Sequence, residues 1–258
     1  MWIAWHDGGP CFVKRIVLLT DAGAAIAPAV AFRQWPGALE MHVPAPEPDR
    51  PLAERLEAGA FAAGNRVFMR IFKEESELEL WLDAGPGFAL FQTYPVCRWS
   101  GSLGPKLAEG DGQSPEGFYR VTRSALNPNS RFHLSFDLGF PNAFDRGEGR
   151  TGSALMVHGG RVSVGCYAMT DAVIEEIYRL VEAAFDMDQS AVEVHVFPFR
   201  MSAQNLARHE GSRWLAFWRN LKEGYDAFEA SRVPPAVSAG DGRYVVAHGP
   251  ARPVLMDL

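Results

Sequence analysis

The segment from Ala154 to Phe185 constrains the fold most, because its hydrophobic period changes within one short stretch. Ala154-Leu155-Met156-Val157 is a short apolar run of the kind that forms a buried strand. Glycines and polar residues then carry the chain from His158 to Gly165. From Thr170 onward, Val173, Ile174, Ile177, Leu180, Val181, Ala184 and Phe185 recur at three- and four-residue steps, which is one face of a helix, and Thr170 or Asp171 is placed to cap its start. The reading is a strand ending at His158, a glycine-rich turn, and Cys166 just before a helix N-terminus.

A thiol needs a nearby base or a positive local field to become a thiolate near neutral pH, and glycines beside it let backbone N–H groups approach a substrate carbonyl. His158 and Cys166 stand eight residues apart in such a setting. Alone, the pair reads by default as a core histidine and a small buried cysteine.

Elsewhere the chain sets bounds. With 47% hydrophobic residues among 258, it can bury a sizeable core, as one large or two small domains. A net charge of −6 with both signs interspersed argues against nucleic acid as a partner. Cys11, Cys97 and Cys166 lack the close pairing of a structural zinc site or a redox motif. No apolar run reaches the roughly 20 residues of a transmembrane helix. Residues 1–51 read as an N-terminal segment, either a degraded export signal or an ordinary strand and loop, followed by a proline-rich linker that ends in Pro44-Ala45-Pro46-Glu47-Pro48-Asp49-Arg50-Pro51.

Next, Leu52 to Ala63 reads as a helix stopped by Gly64, with strands at Val67 to Phe72 and Glu77 to Leu82 and a turn at 73–76. Phe88 to Trp99, Arg131 to Leu138, Ala191 to Phe199 and Tyr244 to Val246 are further strand candidates. A long glycine-rich loop runs from Gly101 to Gly117. Asn205 to Phe228 carries Trp214, Phe217, Trp218, Leu221 and Tyr225 on one helical face, and Pro234-Pro235 follows it. Short strands with helices gathered late predict an α+β fold: a mainly β mixed sheet or sandwich with appended helices, not a doubly wound parallel sheet. The expected organisation is a catalytic domain over 52–202 and a helical extension over 203–258 packed on it.

Ser163-Val164-Gly165-Cys166 resembles the S-x-G-C core of the YkuD-type L,D-transpeptidase domain. The run from His158 to Thr170 is similar to the H-G-x-x-x-S-x-G-C-[YF]-A-M-T pattern of its YafK-like subgroup. Residues 100–106, 110–119, 139–146 and 197–201 resemble further blocks of that subgroup, so the likeness extends over about 52–246. It implies an enzyme that forms a thioester with the L-centre carbonyl of meso-diaminopimelate in peptidoglycan stem peptides. Cys166 would be the nucleophile and His158 the general base, with no metal and no organic cofactor. The backbone at Gly165, Cys166 and Tyr167 would hold the oxyanion. A carbonyl at Gly159, or the carboxylate of Asp145 or Glu116, would orient the imidazole, although both acids read as solvated loop residues.

Two features depart from the wider family. Ala168 stands where most YkuD domains have arginine, so a substrate carboxylate must be read elsewhere; Arg146, Arg161 and Arg200 are candidates, with Ser163 a further substrate-binding candidate. Val164 replaces a second histidine of several relatives. Gly147 to Gly152 matches G-x-G-x-x-G, but without a preceding strand and following helix it is not a dinucleotide site. The expected partners are peptidoglycan stem peptides and a peptidoglycan-linked lipoprotein, in the periplasm or cell envelope after export. Three outcomes stay open: transfer to an amine, hydrolysis of a diaminopimelate–lipoprotein lysine bond, and a non-catalytic wall-binding domain.

Overall fold

Val67-Phe68-Met69-Arg70-Ile71-Phe72 alternates aliphatic and bulkier side chains, yet every one of the six is buried. A strand covered on both faces belongs at the centre of a layered fold. The computed structural model describes residues 50–247, and in it this strand, β1 (Val67–Phe72), lies in the middle of a five-stranded sheet. Its neighbours are β2 (Glu77–Asp83), β3 (Phe88–Pro95), β4 (Gly117–Val121) and β9 (Val192–Phe197), in the order β3-β2-β1-β9-β4. β1 pairs antiparallel with β2 and parallel with β9.

The second sheet has the order β5-β6-β7-β8, from β5 (Leu126–Ser130), β6 (His133–Asp137), β7 (Met156–His158) and β8 (Tyr167–Ala168). β5, β6 and β7 run antiparallel, but β7 and β8 are parallel, with Val157 opposite Tyr167 and His158 opposite Ala168. Between the sheets lies the main core, where Met69, Ile71, Leu80 and Val194 meet Phe136, Val157 and Tyr167. Helix α3 (Asp171–Asp186) adds Val173, Ile177, Val181 and Ala184 to that core. Thr170 caps it, accepting the Val173 N–H at 3.2 Å. Short helix α1 (Leu52–Ala58) ties on through Arg55, whose guanidinium meets Glu176 of α3, and short helix α2 (Ala143–Gly147) lies between β6 and β7 in the chain.

Phe68 and Phe72, on the other face of β1, meet the C-terminal elements. These are α4 (Ala203–Arg208), α5 (Leu215–Ser231) and a hairpin of β10 (Ala236–Gly240) and β11 (Arg243–Ala247). Trp218 and Leu221 of α5 join Phe72, Phe118, Phe197 and Phe199, while Phe228 packs on Phe68 and Trp81. The five-stranded sheet is thus covered on both faces, and the fold is α+β with a large β content, as expected. Three local expectations are revised. The aromatic helix is two helices, interrupted at 209–214. The C-terminal extension includes a β-hairpin as well as helices. The first helix ends at Ala58, not Ala63. The export-signal and linker readings for residues 1–49 lie outside the described residues. Among the described residues no helix is long and apolar enough to cross a membrane.

Candidate active site

The parallel β7–β8 pair builds the site. Side chains alternate along a strand and directly paired residues share a face, so His158 and Ala168 project to the same side of the sheet. Cys166, two residues before Ala168, lies on that side too, beside Met156, whose N–H donates to Sγ at 3.4 Å. Sγ also donates to the Ala154 carbonyl at 3.5 Å. Phe136, Val157 and Tyr167 point the other way, into the core. The strand alternation therefore separates a packed face from a polar face that carries the thiol and the imidazole.

His158 Nδ1 lies 2.6 Å from the Gly159 carbonyl. A carbonyl can only accept, so Nδ1 carries the proton and Nε2 the lone pair, the tautomer a general base needs. The ring is buried, with Phe132 tilted across it at 4.6 Å between centroids. Gly159 has no room for a side chain, because a Cβ would sit 2.9 Å from the Phe132 carbonyl and 2.6 Å from Asp171 Oδ1. Among the described residues no hydrogen bond joins His158 to Cys166.

The loop over 100–116 closes around the cysteine. Ser114 Oγ and Ser163 Oγ both donate to the Cys166 carbonyl, at 3.0 and 2.7 Å. Ser100 Oγ accepts the Gly165 N–H. Gly165 has φ of 99°, the left-handed region where a side chain is strained. The loop itself is pinned by Lys73, whose Nζ donates to the carbonyls of Ser102, Gly104 and Ser114 and to Glu116 Oε1. Glu116 in turn accepts the Gly104 N–H and Trp218 Nε1–H, at 2.7 and 2.8 Å.

Comparison with known proteins identifies the family. The family model described as the L,D-transpeptidase catalytic domain, YkuD, matches residues 78–196. The protein named YafK of Escherichia coli (strain K12), which its name places among the L,D-transpeptidases, is 49% identical over 183 residues, 71% of this chain and 74% of that protein. The chain belongs to the YkuD L,D-transpeptidase family. Solved structures similar to this L,D-transpeptidase-family chain include the helical cell shape determining protein Pgp2 of Campylobacter jejuni, 18% identical with a TM-score of 0.42 over 70% of this chain and 66% of that one. Another is Bd1075 of Bdellovibrio bacteriovorus, 23% identical with a TM-score of 0.36 over 64% of this chain and 61% of that one. The chain spans less than two thirds of either of those two.

The electrostatics of this L,D-transpeptidase-family site differ from the sequence expectation. Burial pushes the Cys166 thiol up; the Met156 N–H and Lys106 pull it down and the Asp137 carboxylate adds to the rise. Burial pulls His158 down, only partly offset by the Gly159 carbonyl. Both shifts favour the neutral thiol and the neutral imidazole. Nor does a helix N-terminus face the sulfur: Tyr167 and Ala168 form β8, and α3 begins only at Asp171 with its first turn capped by Thr170.

Several expected residues have other duties. The Gly165 N–H is taken by Ser100, and Tyr167 is turned wholly inward with its hydroxyl donating to the Pro115 carbonyl at 2.7 Å. Gly159 acts through its carbonyl, while its N–H goes to the carbonyls of Phe132 and Leu134. Ser163 supports the cysteine backbone. Arg200 is committed to Glu77 and Glu79, and Arg146 donates to the Pro141 carbonyl. Arg161 is exposed on the loop between His158 and Cys166. Glu116 and Asp145 are not solvated loop residues but fully buried ones, paired with Lys73 and Arg150. Residues not picked out from the sequence are Ser100, Ser114, Phe132, Ser135, Lys106 and Asp137. For Ser135 and Asp137 the signal was available, since their alternation with Phe136 gives β6 a polar face.

Proposed function

We propose that this protein is a peptidoglycan-modifying cysteine acyl-transferase, with Cys166 as nucleophile and His158 as general base, acting on the L-centre carbonyl of diaminopimelate in stem peptides. The observation that carries this reading is the shared face of β7 and β8, where the imidazole is held by the Gly159 carbonyl with Nε2 left for proton transfer. Membership of the L,D-transpeptidase family and the identity to YafK support the substrate class.

Because burial disfavours charge on both partners, the proton leaves the thiol as attack proceeds, not beforehand. Sγ turns from Ala154 and Met156 toward His158 as substrate enters. Nε2 takes the thiol proton, the S–C bond forms, the C–N bond breaks, and the imidazolium returns that proton to the departing amine. In the second half an amine or a water attacks the thioester, gives its proton to His158, and the released thiolate is reprotonated. At rest the Met156 N–H offsets part of the burial that keeps the thiol neutral.

A wall-polymer substrate goes with a location in the cell envelope, outside the cytoplasmic membrane. The disulfide at Cys97 suits an oxidising compartment.

The test is incubation with tetrapeptide muropeptides and with lipoprotein-linked sacculi, followed by mass spectrometry of products and intact protein. New cross-links indicate transfer to an amine, released lipoprotein indicates hydrolysis, and a thioester adduct on Cys166 is expected in either case. No covalent change on any substrate, or full activity in Cys166→Ala, would sink the enzymatic reading and leave a wall-binding domain.

A further inference from the structure

The polar face of the second sheet holds a carboxylate that the chemistry above does not use. Asp137 pairs with Met156 across β6–β7, and Met156 in turn is the residue whose N–H reaches Cys166 Sγ. Asp137 and Met156 thus face each other across β6 and β7, and Cys166, in the bend just before β8, touches Met156 from the other side. Adjacent strands are spaced about 4.8 Å apart, so the backbones of Asp137 and Cys166 are roughly 10 Å apart and their side chains project to the same side.

Asp137 is half-buried, and burial holds its carboxyl above the usual carboxylate range. Oδ1 accepts the Gly139 N–H at 2.7 Å. Among the described residues no Lys, Arg or His forms an ion pair with it. A half-buried carboxylate without a cation costs free energy that folded proteins ordinarily offset by pairing, which points to a partner arriving from outside. A second polar group in the next row is also unsatisfied: Ser135, directly opposite His158, is fully buried and its hydroxyl has no hydrogen-bond partner.

We propose that Asp137 is the specificity residue that binds a primary ammonium carried by the acyl donor, across the width of β7 from the attacked carbonyl. This rests on the acyl-transfer reading above and deepens it. Diaminopimelate bears, three methylenes beyond its L-centre, a second amino-acid centre with a free ammonium. With the L-centre carbonyl at Cys166, that chain spans the width of β7 and sets the ammonium at Asp137. One consequence concerns the thiol. The unpaired carboxylate opposes negative charge on Cys166; a bound ammonium cancels that field, so the correct donor eases ionisation of the sulfur that attacks it.

The experiment separates this from the acyl-transfer reading by using binding. Cys166→Ala protein is titrated calorimetrically, with no acceptor present, with a diaminopimelate-containing stem peptide and with the same peptide N-acetylated at its distal amine. Charge-assisted hydrogen bonds of this kind correspond to roughly 10- to 100-fold in affinity. The expected result is that acetylation weakens binding by that factor, and that adding Asp137→Asn lowers affinity for the free amine while leaving the acetylated peptide unchanged. Equal binding of the two peptides, an equal loss for both in Asp137→Asn, or no binding of either peptide overturns the proposal. Circular dichroism and melting of Asp137→Asn verify folding; should it not fold, Asp137→Ser is read against the same outcomes. Turnover of the free-amine peptide by the native protein is scored separately. Turnover without discrimination defeats only the Asp137 assignment, whereas discrimination without turnover defeats only the acyl-transfer reading.

Discussion

Replacing Lys73 by methionine keeps the length of the side chain and removes one buried charge. In the native protein Lys73 and Glu116 are both fully buried and 3.0 Å apart, and the ammonium also satisfies the carbonyls of Ser102, Gly104 and Ser114. Methionine leaves the Glu116 carboxylate without its cation and three carbonyls without their donor. Breaking a buried pair from one side costs about 3–5 kcal/mol, and the orphaned carbonyls push toward the upper end. At about 2–4 °C per kcal/mol for a domain of this size, the melting temperature falls by roughly 6–20 °C. Urea titration at pH 7 gives the free energy directly, and hydrogen exchange at the Gly104 amide, which donates to Glu116, reports whether the loop loosens before the core. Lys73→Met with Glu116→Gln removes the stranded charge and recovers about 1–3 kcal/mol of the loss. The reasoning is refuted if the single variant lies within about 1 kcal/mol of native, or if the double variant is no more stable than the single. Since the loop carries Ser100 and Ser114 to the cysteine, the single variant also slows turnover at temperatures where it remains folded.

Other outcomes are equally specific. His158→Asn should lower kcat/KM about 10²- to 10⁴-fold, the usual worth of a general base; Gly159→Ala should lower it as well, because the new Cβ meets the Phe132 carbonyl and displaces the carbonyl that holds the imidazole. A loss under threefold in both would show that this imidazole does not accept the proton. Iodoacetamide labelling of Cys166 should still be rising above pH 8.5, since burial raises the thiol above its ordinary range; a rate already at plateau by pH 7 would mean a resting thiolate. His195 is fully buried among Phe68, Phe118 and Phe197, with both ring nitrogens unpartnered and burial pulling it down to about 3. The unfolded chain therefore takes up this proton first as pH falls, so the stability present above pH ~6.5 declines toward pH 3, by about 2 kcal/mol at pH 5. His195→Leu should flatten that slope in acid-dependent urea titrations; an unchanged slope would contradict it.

The strands β1 and β2 were legible because a strand buried on both faces is almost continuously apolar, and α3 because its stripe and its Thr170 cap agree. β4 and β5 were not read. The first begins at the glycine that ends a long loop, and the second contains Asn127, Pro128 and Asn129, a composition that suggests a turn. The aromatic stripe read as one helix is interrupted at Gly211 and Ser212, where Ser212 Oγ takes the Trp214 N–H and starts α5 afresh. At the candidate site, His158 and Cys166 stand out in the sequence because they are close together and flanked by glycine. Lys73 and Glu116 lie 43 residues apart, and Ser114 reaches the Cys166 carbonyl across 52. Contacts of that span come from sheet order, which local pattern does not specify. Charge misled for the same reason, as an acid in a loop reads as solvated until its distant cation is known.

The hairpin of β10 and β11 bears on how the protein matures. Tyr244 packs its ring on Phe118 and Phe144, and its hydroxyl accepts from Asn142 at 2.8 Å. Asn220 of α5 clasps the Tyr244 backbone from both sides. The stretches bearing His158 and Cys166 are synthesised well before these clamps, so in a nascent chain their scaffold is still open on one side. The packing around Phe118, Asn142 and Phe144 is therefore complete only once synthesis has passed Tyr244.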